Sequence, residues 1–178
     1  MKRVKVTSLI GFFFLIVTSS HAQYESGGFG GLHFQLMNFG SGGTGIAYGG
    51  MGGAVFAGNG FIGGFGYGGS ATRRNSTVAI GYGGVMGGAQ LEIDARQKLA
   101  PGVRLGFGGY ANVLSDDNGN KFTTNGNMMR LEPNLLYNLE AFPKFNVQVQ
   151  VGYSFNIIGN LSSYNTAYLS VGFVLGTF

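Results

Sequence analysis

The stretch Phe145-Asn146-Val147-Gln148-Val149-Gln150-Val151-Gly152-Tyr153-Ser154-Phe155-Asn156-Ile157 puts an apolar or aromatic residue at every odd position and a polar or small one at every even position. Successive side chains of a strand point to opposite faces, so this segment is a strand with one oily and one wet face. A half-buried strand of a soluble protein carries the same alternation. The rest of the chain decides between the two, because several segments share the pattern behind an export signal and no helical stretch is present.

The N-terminus has Lys2, Arg3 and Lys5, then an apolar run from Leu9 to Val17, then Ser20-His21-Ala22 before Gln23. A basic start, a short apolar core and small residues before a cut describe a secretory signal peptide. Residues 1–22 are therefore predicted to be removed, leaving 23–178 as one domain. The whole chain carries +4, but three of its eleven Lys and Arg residues lie in that segment and none of its seven acids do, which leaves +1 for the remainder. The basic balance belongs mostly to the signal, and nucleic acid is not an expected partner. Zero cysteines exclude a disulfide framework, thiolate metal sites and a lipid-modified N-terminal cysteine. No apolar run of about 18 residues follows the signal, so no transmembrane helix is available. Export without a helix leaves a secreted protein, a periplasmic one or a closed membrane barrel.

Strands are predicted at 28–38, 45–57, 60–69, 77–96, 102–114, 127–139, 145–158 and 166–177. Short connections alternate with longer, more polar ones, the rhythm of an up-and-down membrane barrel with tight periplasmic turns and longer outer loops. The fold class is thus all-β: a closed antiparallel barrel of about eight strands, of membrane type. The segment 77–96 is long for one strand, and Gly81 to Gly88 could break it in two. Pro133 requires a bulge, since a closed barrel offers no free edge.

Glycine dominates from Gly27 to Gly88, a composition shared with flexible low-complexity segments. Here, however, aromatic and apolar residues sit among the glycines at strand spacing. If Gly58-Asn59 is a two-residue hairpin turn, Phe56 faces Phe61, Gly52 faces Phe65 and Gly50 faces Tyr67. That register puts Ile46, Tyr48, Phe56, Phe61, Phe65 and Tyr67 on the outer face and leaves Gly64, Gly66 and Gly68 on a bare inner one. Elsewhere the same alternation sends Leu91, Ile93, Val103, Leu105, Phe107, Leu131, Leu135, Tyr137 and Leu139 outward.

Their neighbours point inward: Glu92, Asp94, Arg96, Arg104, Arg130 and Glu132, with Gln148 and Gln150 on the next strand. Three acids and three arginines balance, and buried charges are tolerable when paired, so the predicted interior is a salt-bridged plug of structural character. The bare glycine face would leave room for these long side chains, and Gly64→Leu or Gly66→Leu should then disturb folding.

The remaining motifs are weak. Gly64-Phe65-Gly66-Tyr67-Gly68-Gly69 matches a dinucleotide-binding pattern by letter, but no helical period follows it. Asp116-Asp117-Asn118-Gly119-Asn120 lacks the alternating ligands and the later glutamate of a calcium loop. His33, the one histidine beyond the signal, reads as a packed polar residue. Arg73-Arg74 falls in an expected outer loop, where it could meet lipopolysaccharide phosphates. No catalytic residue, cofactor or metal ligand is expected.

The runs Gly49-Gly50-Met51-Gly52-Gly53, Phe61 to Gly68, Gly81-Tyr82-Gly83-Gly84, Leu131-Glu132-Pro133 and Gly152-Tyr153-Ser154-Phe155 resemble those of a group of glycine-rich bacterial envelope proteins. That group is assigned as outer-membrane β-barrels without an established activity. The final Phe178 resembles the signal by which such barrels are recognised for insertion, although it shares its face with Ser170, Gly172 and Gly176. The resemblance implies a bacterial outer-membrane location, with lipid and the barrel-assembly machinery as partners. The expected function is a structural or surface-contact role. Its alternatives are a soluble periplasmic barrel binding an apolar ligand and a lipid-modifying barrel enzyme using His33 near a serine.

Overall fold

A computed structural model describes residues 27–38, 43–56, 59–73, 76–115, 121–158 and 165–176. The signal segment, Arg74, Asp116 to Asn120 and Phe178 lie outside the described residues. Nine strands form: β1 (Gly27–Asn38), β2 (Thr44–Val55), β3 (Gly60–Arg73), β4 (Ser76–Ala89), β5 (Leu91–Asp94), β6 (Gln97–Ser115), β7 (Lys121–Phe142), β8 (Phe145–Ile158) and β9 (Thr166–Gly176). The sheet runs β4-β3-β2-β1-β9-β8-β7-β6, and β4 pairs with β6 to close it. The short β5 continues the line of β4 past Gln90 and pairs with β6 as well, so the ring has eight staves. All pairs are antiparallel. Closure removes the free edges that an open sheet would leave with unpaired backbone groups.

The alternation read from sequence fixes the faces of β6 to β9. Burial along β9 switches at every residue from Thr166 to Leu175, with Tyr168, Ser170 and Val174 inside and Leu169, Val171, Phe173 and Leu175 outside. Strand β8 behaves likewise, with Asn146, Gln148, Gln150 and Ser154 buried and Val149, Val151, Tyr153 and Phe155 exposed. The outer wall therefore carries leucine, valine and phenylalanine, while the polar side chains converge on the axis.

Strand β3 departs from expectation. The hairpin from β2 closes with Phe56 N–H donating to Gly60 O at 2.8 Å, and Asn59 takes a left-handed φ of 70°. The register is displaced by one residue from what a Gly58-Asn59 turn would give: Gly49 faces Tyr67, Met51 faces Phe65 and Val55 faces Phe61. A one-residue slip turns every side chain to the other face. Phe61, Phe65 and Tyr67 are consequently buried, and Gly64, Gly66 and Gly68 lie on the outside. Strand β2 keeps its predicted faces, with Ile46 and Tyr48 out and Ala47 and Met51 in.

Three further details differ from the sequence reading. The long fourth segment breaks at Gln90, not within Gly81 to Gly88. Pro133 needs no bulge: the β7–β8 register is the same at Leu131↔Phe155 and Asn134↔Gly152, and the irregularities fall at Met129/Arg130 and Glu140/Phe142. Parts of several predicted connections are strand, since β3 runs to Arg73, β6 starts at Gln97 and β7 spans Lys121–Phe142.

Candidate functional site

The wall brings two kinds of side chain to the barrel axis. From β3 and β4 come aromatic rings, with Phe65, Tyr67 and Tyr82 packed at centroid distances of 5.9 Å. From β6 and β7 come Arg104 and Glu132, which are cross-strand partners. Arg104 Nε lies 3.0 Å from Glu132 Oε2, with both side chains almost wholly buried. The guanidinium of Arg104 sits over Phe65, Tyr67 and Tyr168 at 5.2, 5.1 and 4.9 Å from their centroids and donates through Nη1 to Tyr67 OH at 3.0 Å. Ring faces carry the negative lobe of the aromatic quadrupole, so this cage holds part of the arginine's charge.

Glu132 is the hub of the cluster. Its Oε1 accepts from Tyr82 OH at 3.1 Å and Ser154 Oγ at 2.5 Å. Arg130 Nη1 stands 3.8 Å away, with its guanidinium 4.9 Å from the centre of Tyr82. Below this level the interior becomes a chain of amides. Gln150 donates to Asn134 at 2.8 Å, Gln148 to Asn138 at 3.0 Å and Asn138 to Asn146 at 2.9 Å. These mutual partners satisfy part of the buried polarity that would otherwise oppose folding, while Gln148 Oε1 and Gln150 Oε1 have no hydrogen-bond partner among the described residues.

Five of the residues singled out from sequence thus meet in one interior: Arg104, Arg130, Glu132, Gln148 and Gln150. The placing of Glu92, Asp94 and Arg96 is corrected. All three are exposed around the turn between β5 and β6, where Asp94 accepts from Arg96 N–H at 2.8 Å and from Gln97 Nε2 at 2.7 Å. Alternation gave Glu92 its face, but it carries no information about height, and this hairpin extends past the mouth. Without these three residues the balance also changes: the described core of the barrel holds two arginines to one carboxylate. Tyr67, Tyr82, Tyr168 and Ser154 went unnamed in the predicted network. Tyr168 shares the parity of Ser170, which marks it as inward; the two tyrosines among glycines carry no such mark.

Glycines do make room for the long side chains, at other positions than predicted. A Cβ at Gly152 would lie 2.5 Å from the Tyr168 ring, and one at Gly106 would lie 2.9 Å from Tyr82 and 3.1 Å from Phe65. A Cβ at Gly172 would strike the His33 ring. By contrast a Cβ at Gly66 or Gly68 meets nothing within 4 Å, as befits the outer wall.

His33 has a serine beside it, Nδ1 lying 3.2 Å from Ser170 Oγ. Both residues are sealed within the barrel, away from the lipid-facing rim that the enzyme reading requires. The Gly64–Gly69 run lies within β3, which leads into another strand. Among the described residues no three His, Cys, Asp or Glu side chains gather closely enough to hold a metal ion. The cavity beside Arg104 and Gln150 is about 10 Å³, room for roughly one water.

No family model and no curated protein matches the chain, but solved structures match it in fold. Neisserial surface protein A (NspA) superposes with a TM-score of 0.62 at 11% identity, covering 84% of this chain and 96% of that one. A major outer membrane protein from Thermus thermophilus gives 0.61 at 10% identity, covering 85% and 99%. Ail, the attachment invasion locus protein of Yersinia pestis, gives 0.57 at 11% identity, covering 85% and 97%. The architecture is accordingly that of the small eight-stranded membrane β-barrels.

Proposed function

We propose that this chain is an integral barrel of the bacterial outer membrane with a structural or surface-contact role and an interior closed by its own side chains. One observation carries the reading: large apolar residues exposed on the outer wall, among them Leu32, Phe34, Val103, Phe107, Val151, Phe173 and Leu175, surround an interior that holds the buried arginines, glutamate and amides. Water would penalise such a shell and reward the opposite arrangement, whereas lipid favours it. The placement of Arg104, Arg130, Glu132, Gln148 and Gln150 supports a plug, because a conduit would need continuous space along the axis. The naming of NspA as a surface protein and of Ail as an attachment protein supports a contact role for the loops, with lipopolysaccharide among the surfaces they would meet. Cleavage after residue 22 and insertion by the barrel-assembly machinery belong to the same proposal, as does the absence of enzymatic activity.

Extraction tests it directly. The protein should stay with the membrane through a carbonate wash, require detergent for release, and migrate differently on a gel before and after boiling. Release by carbonate would favour the soluble periplasmic alternative. A steady single-channel conductance would overturn the plug, and a change in lipid composition on substituting His33 would revive the enzyme.

A further inference from the structure

The end of the barrel that carries the turns at Ala95–Arg96 and Pro143–Lys144 opens into a cavity of about 160 Å³. Its floor includes Asn138 and Asn146, both buried and fixed by Asn138 Nδ2 donating to Asn146 Oδ1 at 2.9 Å and Asn146 Nδ2 to Gly176 O at 3.1 Å. Its rim brings together three cations, Arg96, Lys98 and Lys144. Each turn is tied to a neighbouring strand by a backbone bond, Glu140 N–H of β7 to Arg96 O at 2.8 Å and Gly176 N–H of β9 to Lys144 O at 2.9 Å, so the cations rise from a fixed backbone.

These cations are short of partners. Among the described residues neither the Arg96 guanidinium nor the Lys144 ammonium has a hydrogen bond or ion pair. Lys98 Nζ reaches only Gln90 Oε1 at 3.5 Å and Glu92 Oε1 at 4.0 Å, both at the limit of useful contact. Two carboxylates, Glu92 and Glu140, share the rim with these three cations, which leaves one positive charge in excess, and Glu140 Oε1 also accepts from the Lys144 backbone N–H at 3.2 Å. Gln90, buried next to Lys98, has an Nε2 donor without a partner. Donors exceed acceptors around a space of small-molecule size.

We propose that this mouth binds a small oxyanion, a carboxylate or phosphate group, through Lys98 and Arg96. Charge-assisted bonds from ammonium and guanidinium groups to oxyanions are stronger than neutral ones, and the buried amides give the site a shaped floor. The cavity adjoins a groove of about 510 Å³ running past Glu140, Phe142 and Pro143, so the oxyanion can be free or carried on the end of a longer chain. With the tight turns on the periplasmic side, as the loop rhythm predicts, the site faces the periplasm; the binding itself needs only the folded barrel.

The test is calorimetric titration of the detergent-solubilised protein with inorganic phosphate, acetate and dialanine, against sodium chloride at equal ionic strength. Saturable binding of at least one probe is expected, weakened about tenfold or more by Lys98→Gln and by Arg96→Gln, with the folded gel mobility of both variants retained. Binding of dialanine but not its C-terminal amide assigns the end of a peptide, and binding of phosphate alone assigns a phosphate group. Absence of saturable binding by all three probes, or affinities unchanged in both variants, overturns the proposal.

Discussion

The wall of this barrel has two halves that reach the same pleat by different means. In β6 to β9 the side chains declare their face, with Val147, Val149 and Val151 against Gln148 and Gln150. In β2 to β4 glycine occupies both faces, and Gly63 and Gly64 on β3 differ only in which neighbour they approach. A Cβ on inward Gly63 would strike the Gly52 carbonyl, whereas one on outward Gly64 lies 3.5 Å from its nearest atom. Register in the first half is written in hydrophobicity; in the second it is set by where backbones come closest and by the turn at Asn59. The halves meet at Arg104, whose charge is held by Glu132 from one and by the rings of Phe65 and Tyr67 from the other.

The largest effect should come from breaking that meeting point. Glu132→Ala leaves Arg104 and Arg130 buried without their carboxylate, a loss of about 3–5 kcal/mol, measured as urea unfolding in lipid vesicles or as loss of the folded gel band. Replacing Arg104 with Met and Glu132 with Leu together should cost less than the glutamate variant alone, because one buried arginine, Arg130, is then left without its carboxylate instead of two. Equal or greater cost in the double variant would show that the plug's stability does not rest on the ion pair.

Next in size is a charge on the lipid face of the regular half. Val151 lies outside between Leu135 and Leu169, and Val151→Arg should cost about 2–4 kcal/mol near the bilayer midplane in the same unfolding experiment. A cost near zero would mean that water, not lipid, bathes this wall.

What was legible in the sequence follows the same division. The closed all-β barrel, the faces of β7 to β9 and the inward direction of Arg104, Arg130, Glu132, Gln148 and Gln150 could be read because each strand had apolar residues at one parity and polar ones at the other. The face of β3 could not, since Phe61, Phe65 and Tyr67 fit lipid as well as a core and glycine records no preference. Nor could the exposure of Glu92, Asp94 and Arg96: period two reports direction, while height depends on where β5 leaves the ring. The aromatic cage around Arg104 is a multi-strand event, assembled from Phe65, Tyr67 and Tyr168, which no local pattern announces.

Within the interior, Gly152→Ala should cost about 1–3 kcal/mol by overpacking. The added methyl would stand 2.5 Å from Tyr168 and 2.8 Å from Pro133 O. Tyr168 is not free to yield, since its ring lies under Arg104. A smaller residue there should relieve the strain, so Tyr168→Ala in the Gly152→Ala background is expected to add less than it does alone, measured as a double-mutant cycle.

The smallest effect is the most discriminating, because the two readings of β3 assign it opposite outcomes. If Gly66 pointed inward, a leucine there would crowd the plug and prevent folding. It points outward, and nothing lies within 4 Å of a Cβ at that site, so Gly66→Leu should change stability by no more than about 0.5 kcal/mol. Gly66→Arg should not be silent, because the objection to it is the lipid and not lack of room. A tolerated leucine beside a costly arginine therefore establishes two things at once: that the glycine wall has the register closed by Phe56 and Gly60, and that it faces the same solvent as Val151. If both variants fold equally well, the glycine half is wet and the two walls serve different surroundings; if both fail, β3 has the opposite face.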